Sequence, residues 1–136
     1  MNTQKPSILC VDDDKDSLDL ITFVFKNEGY DVTSCDSLEE CLSQIRQKHF
    51  SVIVLDNRFG DGTSIEVCKE LRSYNHHTPI IFYSGEARQS EIDKALECGD
   101  AYLIKPIGFD KLTDTVKNLI QEMPVQTKTQ SNLRII

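Results

Sequence analysis

Residues 8–14 read ILCVDDD, four apolar residues followed directly by three aspartates. A short, unbroken apolar run is typical of a strand that is buried on both faces. Three adjacent carboxylates at the end of such a strand repel one another, which costs free energy. Because a nearby cation would relieve this repulsion, the stretch predicts a buried strand that ends at a cation-binding site.

Short apolar runs and longer amphipathic runs alternate from this stretch to about residue 123. Beyond Ile8–Val11, further strands are predicted at Tyr30–Ser34, Phe50–Leu55, Pro79–Tyr83 and Ala101–Ile104. Amphipathic periodicity predicts helices at residues 15–28, 37–48, 63–74, 89–98 and 110–123. Strict alternation of apolar strands with helices predicts a doubly wound α/β fold, in which one five-stranded parallel sheet is covered by helices on both faces.

Local signals predict where several of these helices begin and end. Asp13 or Asp14 is placed to cap the first helix, and Gly29 ends it. Ser37 and Thr63 each open a capping box, since a glutamate stands three residues after each of them.

Composition narrows the class of protein. The chain carries 15 basic and 22 acidic residues, a net charge of −7, which argues against direct nucleic-acid binding. No apolar run approaches the roughly 20 residues of a membrane-spanning helix, so we expect a soluble cytoplasmic protein without a membrane partner. The five cysteines are scattered without a C-x-x-C pair, and we interpret them as small buried residues of a reducing cytoplasm.

Polar side chains follow the predicted strands at the carboxyl edge of the sheet, where such folds bind ligands. Asp12 and Asp13 follow the first strand, Asp56 the third, Ser84 the fourth and Lys105 the fifth. Carboxylates from two strands suit Mg²⁺, while a hydroxyl and an ammonium group suit the oxygens of a phosphoryl group. Asp56 could then act as a nucleophile that forms an aspartyl phosphate. Each residue alone has a simpler explanation, as a helix cap, a turn residue or a solvated lysine.

Four motifs in order, ILCVDDD, VIVLDNRFGDGTSIEVCKEL, PIIFYSG and AYLIKP, are similar to those of the receiver domain of two-component response regulators, in its single-domain, chemotaxis-regulator-like form. The resemblance covers about residues 6–123 and implies a flavodoxin-like fold with strand order 2-1-3-4-5. It implies a receiver domain at 1–123. The remaining residues, 124–136, form a tail too short for an output domain, so we expect either that the output is another protein or that the chain is a fragment of a longer one. The implied donor is a histidine kinase or a histidine phosphotransfer protein, and the domain catalyses only its own phosphorylation and dephosphorylation.

The resemblance also implies the metal ligands and the phosphoacceptor. Asp56 would accept the phosphoryl group, Asp13 would bind Mg²⁺ directly, and Asp12 would bind it directly or through water. The carbonyl of Arg58 would be a further ligand, and Mn²⁺ could replace Mg²⁺.

Further residues are implied to contact the phosphoryl group or to respond to it. Ser84 and Lys105 would contact its oxygens, and a cis peptide bond is implied before Pro106. Tyr102 matches an aromatic residue whose inward turn, with Ser84, accompanies activation. The output surface would comprise the fourth helix, the fifth strand and the fifth helix, with an unknown protein partner and a possible phosphorylation-linked homodimer.

Two variable positions, Arg58 and Glu86, flank the expected phosphate, and their opposite charges could pair across it. We predict that this pair obstructs attacking water and lengthens the lifetime of the phosphate. Gly60 and Ser64 depart from the family pattern, which favours a more mobile loop after Asp56.

Two other functions fit parts of the pattern. A phosphatase of the haloacid dehalogenase kind also uses an aspartyl nucleophile, but it usually has a second aspartate two residues later, where this chain has Arg58. A receiver-like interaction module that works without phosphorylation would be expected to lose a key acid, the hydroxyl or the lysine. None of these groups is missing here.

Overall fold

The computed structural model describes residues 5–59, 62–75, 77–122 and 134–135. The strands are β1 (Ser7–Val11), β2 (Asp31–Cys35), β3 (Val52–Leu55), β4 (Arg58–Phe59), β5 (Gly62–Thr63), β6 (Ile80–Ser84), β7 (Ala101–Ile104) and β8 (Arg134–Ile135). The helices are α1 (Lys15–Asn27), α2 (Leu38–Gln47), α3 (Ile65–Arg72), α4 (Gln89–Leu96) and α5 (Phe109–Glu122). Within these ranges, no helix combines the length and apolar character needed to cross a membrane.

One parallel sheet forms the centre of the fold, in the order β2-β1-β3-β6-β7-β8. The five strands predicted from the sequence therefore occur in the predicted order, and the flavodoxin-like α/β fold is confirmed. Two features were not predicted. β4 and β5 form a small antiparallel pair after β3, and β8 pairs with the outer side of β7.

Side chains of alternate residues in the central strands point to opposite faces of the sheet and pack in two separate apolar layers. On one face, Leu9 and Val11 of β1 pack in a core with side chains of α2, α3 and α4. On the other face, Ile8 and Cys10 pack in a core with side chains of α1 and α5. Because β1 and β3 are buried on both faces, their carboxyl ends are held rigidly at one edge of the sheet.

The ends of α1 and α2 agree in part with the sequence signals. The Ser37 hydroxyl accepts a hydrogen bond from the Glu40 N–H at 3.1 Å, as the first capping box predicts. Gly29 has a φ of +95°, which explains why a glycine ends α1. Asp14 occupies the N-cap position of α1, but its carboxylate makes no capping hydrogen bond, so the predicted aspartate cap is wrong. The Asp14 N–H instead donates to Asp12 Oδ1 at 2.9 Å.

The second capping box is also wrong. Thr63 lies in β5, and the N-cap of α3 is Ser64, whose side chain does not cap the helix. Its hydroxyl donates to the Asp56 carbonyl at 2.6 Å, and its N–H donates to the Asn57 carbonyl at 3.0 Å. These bonds link the start of α3 to the end of β3. Both are made by Ser64, a buried residue that was expected to favour a more mobile loop. Gly60 lies outside the described residues.

The cysteines divide into two groups. Cys10, Cys35 and Cys41 are free and buried, as predicted. Cys68 of α3 and Cys98, two residues beyond α4, form a disulfide, which we call the interhelix disulfide. The prediction that every cysteine is a reduced core residue is wrong for this pair, because the helix packing brings their Cα atoms to 6.2 Å.

Candidate functional site

Three carboxylates converge at the carboxyl edge of the sheet. Asp12 and Asp13 directly follow β1, and Asp56 follows β3. One carboxylate oxygen from each lies within 4.8 Å of the others, and we call this group the aspartate cluster. Adjacency of β1 and β3 causes this convergence, because their parallel pairing places Val11 beside Leu55. Asp12 is buried, Asp56 is half-buried and Asp13 is exposed, so the cluster opens toward solvent on one side.

Lys105 lies against the aspartate cluster. Its Nζ is 2.7 Å from Asp12 Oδ2 and 3.5 Å from Asp56 Oδ2. Burial lowers the pKa of Lys105, but the hydrogen bond to Asp12 and the charges of Asp56 and Asp12 outweigh this effect and raise it overall. The ammonium group therefore stays charged, and it bridges the acids of β1 and β3. The Lys105–Pro106 peptide bond is cis.

Ser17 joins this network from α1. Its hydroxyl donates to Asp12 Oδ2 at 3.0 Å and lies 3.3 Å from Lys105 Nζ. With the Asp14 N–H on Oδ1, both oxygens of the nearly inaccessible Asp12 carboxylate are held by hydrogen bonds. Ser17 was not predicted as a site residue, because a serine in the first turns of a helix carries no distinctive signal. Its spacing of five residues from Asp12 is the only sequence clue.

Asp56 has competing influences on its protonation. Burial raises its pKa, a hydrogen bond from the Ser84 hydroxyl and the charge of Lys105 lower it, and the negative charge of Asp12 raises it again. The net effect is a raised pKa. The Arg58 N–H also donates to Asp56 Oδ1 at 3.2 Å. The Asp56 side chain is 13% exposed. Asp56 is therefore oriented by its neighbours and still open to a small ligand.

Ser84 is the last residue of β6, and Tyr102 is the second residue of the neighbouring strand β7. Ser84 is buried, and its hydroxyl accepts a hydrogen bond from the Glu86 N–H at 3.2 Å. Tyr102 is fully buried, and its hydroxyl donates to the Glu86 carbonyl at 2.7 Å. Burial raises the pKa of Tyr102, so the phenol remains protonated and able to donate. The same hydroxyl lies 3.4 Å from the amide nitrogen of Asn57, a buried residue that sequence reasoning missed.

Arg58 and Glu86 form an ion pair at the rim of the site, with Nη1 and Oε1 3.2 Å apart. Glu86 also binds Arg88, whose Nε lies 2.9 Å from Oε2. Hydrogen bonds from the Arg88 side chain and backbone lower the pKa of Glu86 to about 2. The glutamate is therefore charged at neutral pH and shared by two arginines, an arrangement in which only the Arg58 contact was anticipated.

The donor set of the aspartate cluster fits a divalent metal ion. It contains only carboxylate oxygens from two strands, which are the hard ligands that Mg²⁺ and Mn²⁺ prefer. Few protein ligands and an open side also match Mg²⁺, which keeps several water molecules in its coordination shell. No other group of at least three His, Cys, Asp or Glu side chains comes together in this way in the described part of the chain.

Comparison with known proteins gives a consistent result. A family model described as the response regulator receiver domain matches residues 8–117. The transcriptional regulatory protein ZraR of Salmonella typhimurium is 31% identical over 117 residues, covering 85% of this chain and 26% of that protein. The chain thus spans about a quarter of the length of such curated relatives.

Solved structures agree with this match. A CheY-like receiver domain protein from Methanospirillum hungatei has a TM-score of 0.85 and 25% identity, covering 89% of this chain and 98% of that one. The response regulator protein TrrA from Thermotoga maritima, in complex with Mg²⁺ and BeF, has a TM-score of 0.77 and 26% identity, covering 84% and 98%.

Proposed function

Because the chain belongs to the response regulator receiver domain family, we propose that it accepts a phosphoryl group on Asp56 from a histidine kinase or a histidine phosphotransfer protein. The observation that carries this proposal is the position of Asp56, within 4.8 Å of two other acids and 3.5 Å from Lys105. A carboxylate in this setting faces both a metal site and a fixed cation. These are the two groups that stabilise a phosphoryl group in transfer.

The chemistry proposed for Asp56 is nucleophilic substitution at phosphorus. A carboxylate oxygen of Asp56 forms a bond to phosphorus while the bond from phosphorus to the imidazole nitrogen of the donor histidine breaks. The imidazole keeps the electron pair of the broken bond and leaves as the neutral ring once it holds a proton. Lys105 and the Ser84 hydroxyl would bind the phosphoryl oxygens.

Magnesium is the proposed cofactor, with manganese as an alternative. The residues that would hold it are Asp12, Asp13 and Asp56, together with the Arg58 carbonyl. When bound, the metal ion would neutralise negative charge at Asp56 and at the incoming phosphoryl group. Asp12 is already oriented for this role, because hydrogen bonds hold both of its oxygens.

The proposed output is a change at the surface formed by α4, β7 and α5. Phosphorylation adds charge and acceptor oxygens beside Ser84, and Tyr102 connects this position to β7. The downstream partner would be another protein, and phosphorylation could also promote a homodimer. The proposed location of the protein is the cytoplasm. Like other receivers, the domain would act in signalling and would catalyse only its own phosphorylation and dephosphorylation.

The experiment is incubation of the purified chain with acetyl phosphate and Mg²⁺, followed by intact-mass measurement. We expect one phosphoryl adduct on the parent, none on Asp56→Asn, and none after chelation of the metal. Asp114→Asn, which changes an exposed acid of α5, is the matched control and should be modified like the parent. Failure of the folded parent to form an adduct, with either acetyl phosphate or a histidine phosphotransfer donor, would favour an interaction module that works without phosphorylation.

The Arg58–Glu86 ion pair supports a proposal about the lifetime of the phosphate. The pair lies at the rim of the site, beside the path by which water would reach phosphorus in line with the Asp56 oxygen. Arg58→Ala should therefore speed dephosphorylation, whereas Lys94→Ala, on the exposed face of α4, should not. Equal dephosphorylation rates for Arg58→Ala and the parent would remove this idea.

A further inference from the structure

Asn57 is a buried polar residue to which the proposed phosphotransfer chemistry gives no role. It directly follows Asp56 and has no exposed surface. Its Nδ2 lies 3.4 Å from the hydroxyl of Tyr102, a residue 45 positions further along the chain. Burying an amide among apolar side chains is costly unless it makes hydrogen bonds, so this contact needs an explanation.

The hydrogen-bond chemistry of Tyr102 fixes the orientation of this amide. A phenol has a single proton, and the Tyr102 hydroxyl directs it to the Glu86 carbonyl at 2.7 Å. The group on the other side of the hydroxyl must therefore be a donor, which assigns the nearer atom of Asn57 as Nδ2. Asn57 Oδ1 is buried and has no hydrogen-bond partner among the residues that the structure describes.

The backbone of Asn57 is itself fixed. Its carbonyl accepts a hydrogen bond from the Ser64 N–H at 3.0 Å, and the Ser64 hydroxyl holds the preceding carbonyl of Asp56 at 2.6 Å. The backbone that carries the amide is therefore held in place beside the sheet. Any movement of Tyr102 away from it would break the contact between them.

Tyr102 occupies an inward position in this structure. The ring has no exposed surface and stacks on Phe82, with centroids 6.0 Å apart and planes 22° from parallel. In this position its hydroxyl is hydrogen bonded to Asn57 and to the Glu86 carbonyl, and the Ser84 side chain is a further hydrogen-bond partner. An outward rotation would break these hydrogen bonds and leave the Asn57 amide without a hydrogen-bond partner among the residues that the structure describes.

We propose that Asn57 is a positioning residue that holds Tyr102 inward before phosphorylation. The inference rests on the proposed receiver function, in which Tyr102 reports phosphorylation to the surface of α4, β7 and α5. Its consequence is regulatory. Because the amide favours the inward position, phosphorylation would have less conformational change left to drive, and the unphosphorylated chain would resemble its own activated form at this residue.

The test follows the ring of Tyr102 by NMR, with its resonances assigned by comparison with Tyr102→Phe. In the parent, the ring signals should change little when beryllofluoride and Mg²⁺ are added. In Asn57→Leu, which has the same number and branching of heavy atoms but no amide, the ratio of inward to outward ring should fall about five-fold, the factor expected for one ordinary hydrogen bond. Adding beryllofluoride and Mg²⁺ should then produce a large shift toward the parent spectrum. Asn57→Ala gives a second route if leucine is not accommodated.

A merely structural role for Asn57 predicts a different result. The variant would be less stable, but its Tyr102 signals and their response to beryllofluoride would match those of the parent, and that outcome would overturn the proposal. Ile21→Val is the control for stability alone, because Ile21 is buried in the apolar layer on the opposite face of the sheet. It should leave the Tyr102 signals unchanged.

Failure of the two proposals can be told apart. If acetyl phosphate never modifies Asp56, the receiver function fails. The comparison of Tyr102 between parent and Asn57→Leu without ligand still decides whether the amide holds the ring.

Discussion

Replacing Asp56 by asparagine should stabilise the metal-free protein. Asp56 shares a space of less than 5 Å with Asp12 and Asp13, and Lys105 is the cation that lies against the group. The substitution keeps the shape of the side chain and removes one of three negative charges. Asp56, the proposed phosphoacceptor, is therefore expected to destabilise the fold when no metal is bound.

The size of the effect follows from the distances. At an effective dielectric constant of about 20, repulsion across 4.8 Å costs about 3.5 kcal/mol, and Asp56 experiences this from both other acids. Attraction to Lys105 at 3.5 Å returns about 4.7 kcal/mol on the same basis. Repulsion exceeds attraction by about 2 kcal/mol. Solvent screening at the exposed Asp13 reduces this figure, while the burial of Asp56 adds to it, so we expect Asp56→Asn to stabilise by about 2 kcal/mol.

The pH dependence has a definite sign. The folded-state pKa of Asp56 is raised above its unfolded value of about 4. The stability that the protonated form contributes is fully present below the unfolded pKa and is lost as pH rises through the folded pKa. The advantage of Asp56→Asn should therefore be absent below about pH 4 and complete at pH values above the folded pKa.

Urea denaturation followed by circular dichroism at several pH values measures this difference. Asp114→Asn, the exposed control, should change stability by no more than about 0.5 kcal/mol. Addition of Mg²⁺ should stabilise the parent more than Asp56→Asn and so narrow the gap. An Asp56→Asn variant that is no more stable than the parent at neutral pH without metal would refute the electrostatic reasoning.

Three further predictions concern the surroundings of the site. Lys105→Met should lower stability by about 2 kcal/mol in chemical denaturation, because it leaves the buried Asp12 carboxylate without its cation; an unchanged midpoint would contradict the role of this ion pair. Gly99→Ala should cost about 1–3 kcal/mol, since its Cβ would lie 2.6 Å from the fully buried Phe82 ring, and normal thermal stability would show that the ring can yield. Reducing the interhelix disulfide should destabilise by about 3–4 kcal/mol, given the sequence separation of 30 between its cysteines, and identical melting with and without dithiothreitol would argue against it.

The sequence was most informative where one residue type had one physical explanation. Four buried residues ending in aspartates predicted β1 and an acid group beside it, and the parallel pairing of β1 with β3 then brings Asp56 to the same edge. Contacts that depend on exact side-chain placement could not be predicted. Ser17 reaches Asp12 only through the geometry of the first turns of α1, and Asn57 meets Tyr102 across the width of β6.

The errors have equally local causes. Thr63 fits the sequence pattern of a capping box, but it pairs with Arg58 in the short β4–β5 pair. The N-cap of α3 is therefore Ser64, one residue later. Composition alone favoured reduced cysteines, because the distance between Cys68 and Cys98 is set by how α3 packs beside the end of α4. A local sequence pattern does not predict the distance between two residues when tertiary packing sets that distance.

The strand β8 bears on how two copies of this chain could associate. Its pairing places Arg134 beside Ala101 and Ile135 beside Tyr102 on the outer side of β7. Unprotected sheet edges invite another chain to add a strand, and here the backbone on that side is already engaged at these two positions. A second copy that adds a strand to β7 itself would therefore first have to displace β8 at these two positions.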